Sequence, residues 1–177
     1  MSIKKTRIRR VNENPVGDGP VVYWMNREIR AEDNWALLYA QELALEHERP
    51  FVVVYNLVLG YLGGGVVQQV FKLQGLQEVA QDLEAKNISF VLINSSDVET
   101  SGKDLVKFFE DFQPGIVVTD FSPVRAQMSW VKELGKSLTC SFQMVDAHNI
   151  VPVWIASPKQ EYGAYTLRPK LHKKLAE

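Results

Sequence analysis

Gly115-Ile116-Val117-Val118-Thr119-Asp120-Phe121-Ser122-Pro123-Val124 opens a stretch, closed by Ser141-Phe142-Gln143-Met144-Val145, whose reading decides the fold. Its two runs, Gly115–Thr119 and Ser141–Val145, are nearly continuous in apolar character rather than alternating, as in a parallel strand covered on both faces. Between them Val124, Met128, Val131, Leu134 and Leu138 recur at three or four residues, the stripe of a helix with one face on a sheet. Ser122-Pro123 supplies an N-cap followed by Pro at the first helical position. The unit is strand, helix, strand, and its crossover is right-handed.

Working outward, Val21–Met25, Phe51–Leu57 and Ile88–Ile93 repeat the strand pattern. The helices between them are Asp33–His47, a stripe of Val66, Val70, Leu73, Leu76, Val79 and Leu83, and another of Leu105, Phe108, Phe109 and Phe112. Ser101 with Asp104 resembles a capping box with the shorter acid. The alternation predicts an α/β fold: an open, doubly wound, five-stranded parallel sheet, Rossmann-like, in order 3-2-1-4-5, with helices on both faces. Residues 1–20, punctuated by Pro15, Gly17, Gly19 and Pro20, are expected to form a flexible basic arm. Residues 21–150 make the domain. Residues 151–177 lose the period and look like a linker, with only Pro169–Ala176 as a short basic helix.

The chain has 177 residues, 46% hydrophobic, with one Cys and 20 Lys+Arg against 21 Asp+Glu. That excludes disordered, collagen-like and disulfide-stapled classes. The near-zero net charge hides a segregation: residues 1–20 and 159–177 each carry +3, leaving −7 between them. Solvated tails are the plainer account of both ends, and phosphate contact the sharper one. No apolar run approaches a membrane span and no h-region follows the basic start, so a soluble, cytoplasmic chain is expected. Cys140 reads as a small core residue.

In an open α/β sheet, ligands bind outside the carboxyl ends of the strands, near the point where strand order reverses. No G-x-G-x-x-G follows Val21–Met25, so the dinucleotide fingerprint is absent. Gly63-Gly64-Gly65 follows the second strand and precedes a helix, where bare backbone can approach a phosphate or a flat ring; a flexible turn is the simpler role. Met25-Asn26 and Ile93-Asn94 stand where a phosphoacceptor domain needs acids. His47, His148 and His172 lack any metal-ligand spacing, so no metal site is expected. Arg27, Glu28, Arg30, Glu32 and Asp33 crowd the first loop, as a salt-bridged helix start or as ligand-facing groups.

The stretch Tyr23-Trp24-Met25-Asn26-Arg27-Glu28-Ile29-Arg30-Ala31-Glu32-Asp33-Asn34-Trp35-Ala36-Leu37 resembles the opening of the photolyase/cryptochrome family in its class II form. Tyr39–Ala44, Thr119–Arg125, Val145–Trp154, Lys159–Tyr162 and Arg168–Lys174 extend the resemblance in order over nearly the whole chain after residue 20. It implies a two-domain, light-driven DNA repair enzyme, a deoxyribodipyrimidine photolyase that is a carbon-carbon lyase. An amino-terminal α/β domain able to hold a light-harvesting antenna chromophore precedes a helical domain that binds FAD and takes a pyrimidine dimer out of the duplex. The resemblance carries over only a pocket for a deazaflavin-type antenna. Its residues here would be Met25, Asn26 and Arg27, Asn56 and Leu57, Gly63 and Gly64, and Asp120 and Phe121. After the second strand, where relatives commonly carry an Arg-aromatic element, this chain reads Leu59-Gly60-Tyr61-Leu62-Gly63-Gly64-Gly65.

Two functions follow. In the first, the chain is the antenna-type domain of such a photolyase, inactive alone, with no catalytic residue and no FAD of its own. It meets damaged DNA only through its helical partner domain, and self-associates if that partner is missing. In the second, it is a free-standing ligand-binding or interaction module whose Gly-rich loop takes a nucleotide or flavin-type ligand. Whether the reading frame continues past Glu177 separates the two.

Overall fold

The computed structural model describes residues 3–175, so Met1 and Ser2 of the expected arm and Ala176 and Glu177 of the tail lie outside the described residues. After a single 3-10 turn at Lys5–Arg7 come β1 (Ile8–Arg10), β2 (Val21–Met25), α1 (Trp35–Glu46) and β3 (Phe51–Val58). A second 3-10 turn, Tyr61–Gly63, leads into α2 (Val66–Ala85) and β4 (Ser89–Ser95). The chain continues through α3 (Ser101–Phe112), β5 (Ile116–Asp120), α4 (Arg125–Ser137), β6 (Ser141–Val145), α5 (Val153–Ala156) and α6 (Ala164–Lys174). The sheet order is β1-β6-β5-β2-β3-β4, with β2 through β6 parallel and β1 antiparallel on β6. The five parallel strands thus take the order expected from the sequence, and the sheet gains a sixth.

That sixth strand lies within the segment expected as a flexible basic arm. Ile8, Arg9 and Arg10 pair with Val145, Met144 and Gln143. The segment after it is tied down by side chains: Asn12 Nδ2 donates to the Cys140 carbonyl at 3.0 Å and its Oδ1 accepts from Phe142 N–H at 3.0 Å. Gly17 N–H then reaches the Gly115 carbonyl at 2.9 Å. Arg7 lies 3.3 Å from the Trp35 ring centre, and its guanidinium donates to the carbonyls of Asp146, Asn149 and Ile150. The carbonyls in the 146–150 loop therefore hold the chain start against the end of β6.

Every residue of β2 and β5 is buried, because helices cover both faces. On one face α1 and α2 contribute Leu37, Ala40, Leu76, Val79 and Leu83 against Val21, Tyr23 and Met25. On the other, Leu105 and Phe109 of α3 and Trp130, Val131 and Leu134 of α4 pack on Val22, Trp24 and Phe142. Each buried Leu, Val, Met or Phe side chain among these contributes about 1.5–3 kcal/mol through burial. Two expectations fail at the far edge. Val66, Val70 and Leu73 of the α2 stripe are exposed, since only the second half of that helix lies on the sheet. Leu92 of the edge strand β4 is half exposed rather than covered on both faces.

The helix starts also shift. Val124 caps α4, and Ser122 instead accepts from Val124 N–H at 3.3 Å and contacts Gln127 Oε1. Ser101 is the first helical residue of α3 rather than its cap; its Oγ accepts from Asn56 Nδ2 at 2.6 Å. The segment expected as a linker holds α5 and α6, with Pro169 inside α6, which begins five residues before the expected helix.

Candidate functional site

The site is built where strand order reverses, beside the ends of β2 and β5. Asp120, the last residue of β5, is fully buried, yet its carboxylate is surrounded by donors. Oδ1 accepts from Tyr23 Oη at 2.9 Å and Asn26 N–H at 2.8 Å; Oδ2 accepts from Arg27 N–H at 2.6 Å and Glu28 N–H at 3.1 Å. Burial pushes the Asp120 carboxyl up, and these four hydrogen bonds pull the other way. Burial also raises the Tyr23 phenol well above its ordinary value, with the Asp120 charge adding to it. A proton therefore stays on Tyr23, and the loop after β2 is clamped to β5.

The same loop is held from its far side. Asn34 Nδ2 donates to Tyr23 Oη and to the carbonyls of Glu28 and Arg30, each at 3.1 Å, while its Oδ1 caps α1 at Ala36 N–H and Leu37 N–H. Glu28, itself buried, meets His148 Nδ1 at 2.6 Å and Arg30 at 3.0 Å. Of the charges crowding this loop, Arg30 thus pairs with Glu28 and Asp33, Glu32 reaches Lys86 at 3.4 Å, and Arg27 lines a neighbouring cleft. Beside β3, Ser95 Oγ donates to Asn56 Oδ1 at 2.9 Å and Asn56 Nδ2 donates to Ser101 Oγ, so Asn56 joins the ends of β3 and β4 to the start of α3.

These anchors shape a cleft of about 250 Å³ at the carboxyl edge. Met25, Asn26, Arg27 and Asn56 of the expected set line it. Trp24, Ile29 and Val58 add apolar wall, and Tyr55, Tyr61, Lys72 of α2, and Gln127 and Trp130 of α4 also line it although none stands in the expected set. Tyr61 and Trp130 pack against each other with ring centres 5.8 Å apart and planes tilted by 49°, and Lys72 Nζ lies 5.5 Å from the Tyr61 ring. Burial lowers the Lys72 pKa and raises the Tyr55 phenol to about 12. The lining contains Arg27 and Lys72 but no carboxylate.

The remaining expected residues stand elsewhere. Leu57 is core, Asp120 is enclosed, and Phe121 packs edge-on against Trp154 at 5.8 Å. Gly63 takes φ +76°, a left-handed conformation that favours glycine, in the turn that delivers Tyr61. Neither Gly63 nor Gly64 lines the cleft. Two of the residues that line it, Asn26 and Tyr61, each carry a buried donor without a hydrogen-bond partner among the described residues, Asn26 Nδ2 and Tyr61 Oη. A larger open groove of about 850 Å³ runs along α5 and α6, but it holds no such orphaned donor.

A doubly wound α/β domain with an aromatic-walled cleft at its switch point belongs to the class whose ligands sit at the carboxyl edge of the sheet. The profile of the DNA photolyase family matches residues 21–177, and the chain belongs to that family. It is 44% identical over 156 residues to the deoxyribodipyrimidine photo-lyase of Potorous tridactylus, covering 87% of this chain and 29% of the relative. It is 39% identical over 161 residues to that of Arabidopsis thaliana, covering 90% and 32%. The photo-lyase of Methanothermobacter thermautotrophicus is 34% identical over 175 residues, 98% of this chain and 38% of the relative. The chain thus spans about a third of the length of these relatives. Among the described residues no helix is long and apolar enough to cross a membrane, and no group of three or more His, Cys, Asp or Glu side chains is placed to hold a metal ion.

Proposed function

We propose that the chain is the amino-terminal, light-harvesting domain of a class II-like cyclobutane pyrimidine dimer photolyase, without catalytic activity of its own. On this reading residues 21–150 form the chromophore domain and residues 151–177 lead toward a helical FAD-binding domain, through which damaged DNA is met. The observation that carries it is a pair of orphaned donors, Asn26 Nδ2 and Tyr61 Oη, on two residues that line the 250 Å³ cleft. Buried polar groups without partners are costly, about 1–3 kcal/mol each, and a ligand with acceptor atoms would relieve that cost.

The donor set fits a planar heterocycle of deazaflavin type. Tyr61 and Trp130 offer ring faces, Asn26 and Tyr61 offer hydrogen bonds to ring carbonyls, and Arg27 and Lys72 suit a neutral or anionic ring system. Such a group would supply absorption of near-ultraviolet or blue light. The chain's own residues bind it, orient it and exclude water.

The test is to incubate the full chain with 8-hydroxy-5-deazaflavin, remove free ligand by gel filtration and record absorbance and fluorescence. Stoichiometric retention with a shifted band is expected, lost in Asn26→Leu and weakened in Trp130→Ala. No stoichiometric FAD retention is expected. Retention of FAD instead of the deazaflavin would overturn the assignment.

A further inference from the structure

Helix α4 presents a second surface, turned away from the chromophore cleft. Arg125, Lys132 and Lys136 are exposed and recur at i, i+7 and i+11, which aligns them in one row about 16 Å long. Gln127 and Trp130, which face the cleft, lie on the opposite side of the helix. Arg10 of β1 joins the row, and together the four cations rim an open cleft of about 620 Å³ floored by Val11, Met128, Val131 and Met144.

Little opposes this charge. The acid of α4, Glu133, is turned toward α3, where its carboxylate lies against Gly102. Glu13 pairs with Arg10 at 3.1 Å, but both side chains are exposed and such a pair exchanges readily. The whole chain is close to neutral at −1, so the row is a local feature and not a reflection of net charge.

We propose that this α4–β1 face binds the phosphodiester backbone of a nucleic acid without reading its sequence. A straight row of three cations matches a regular polyanion, and Arg125 and Arg10 can each grip a phosphate with two N–H groups. No large apolar side chain is exposed on the face, so nothing is available to insert into a bilayer. No exposed aromatic or amide side chain stands in the row to contact base edges.

Fluorescence anisotropy of the full chain with a labelled undamaged duplex of about 20 base pairs, across a salt series, tests the proposal. Arg125→Glu/Lys132→Glu/Lys136→Glu should weaken binding at least about tenfold and flatten the salt slope by about two to three. Lys103→Glu/Lys107→Glu, on the exposed side of α3, should change affinity less than about twofold. Should circular dichroism show the reversed triple variant unfolded, the Gln triple variant must show the flatter slope. Equal loss in the α3 control, an unchanged slope, or tighter binding to phosphatidylserine vesicles or poly-glutamate than to DNA would overturn it.

Discussion

The Asp120 carboxylate accepts the backbone N–H of Arg27 at 2.6 Å, across the seam where strand order reverses. One side chain thereby fixes the loop that presents Asn26 and Arg27 to the cleft. In Asp120→Asn, the oxygen can keep Tyr23 and Asn26, but the new amide donors then oppose the N–H groups of Arg27 and Glu28. We expect a loss of about 2–4 kcal/mol, with two buried donors unmet. A fall of roughly 5–15 °C in Tm by differential scanning calorimetry follows for a chain of this size. A Tm within a degree or so of wild type would mean the loop does not depend on this clamp.

Asn34 satisfies both ends of its amide at once: its oxygen caps α1, and its nitrogen binds Tyr23, Glu28 and Arg30. Asn34→Ala should cost about 2–4 kcal/mol, more than the ~1 kcal/mol of an ordinary cap, because buried carbonyls lose their donor as well. Asn34→Asp keeps the cap but not the donor, so it should fall between alanine and wild type. Urea midpoints of the three proteins order these outcomes.

What the sequence could and could not reveal divides along a physical line. Strands β2, β3, β5 and β6 were legible because burial on both faces demands continuous apolar runs, as in Val21–Met25, and local composition records that demand, while the edge strand β4 keeps an apolar run with less cover. Strand β1 was not, since Ile8-Arg9-Arg10 has one apolar residue and is a strand because β6 offers it an edge. The carboxyl-edge location of the cleft followed from topology, and Met25, Asn26, Arg27 and Asn56 line it. Lys72, Gln127 and Trp130 reach it from helix faces whose rotation only the packed structure fixes. Trp130, an aromatic beside the Val131 stripe position, was the available signal.

Gly19 and Gly115 let two backbones cross. A Cβ on Gly19 would stand 1.9 Å from the Gln113 carbonyl oxygen, and one on Gly115 would stand 2.4 Å from the Gly19 oxygen. Both neighbours are backbone and cannot rotate away. Gly19→Ala should therefore cost about 3 kcal/mol or more and lower Tm by roughly 6–12 °C. Gly75, inside α2 with nothing within 4 Å, is the control. Gly75→Ala should stabilise by about 0.5–1 kcal/mol through helix propensity.

Burial holds the Cys140 thiol up at about 11 and the Tyr55 phenol at about 12. In the unfolded chain both ionise nearer their ordinary values of 9.0 and 10.0, so above those values the folded state binds more protons. Their contribution to stability is complete below about pH 9 and is lost as pH rises toward about 11 to 12. Urea midpoints should be flat in this respect between about pH 7 and 8 and fall steadily above about pH 9. Cys140→Ala removes the thiol's share of that fall and so isolates it from the tyrosine's. Iodoacetamide should alkylate Cys140 slowly in the native chain at about pH 8, where little thiolate exists, and rapidly once urea exposes it. Equal rates in the two states would place the thiol at the surface and remove the basis for its share of the alkaline transition.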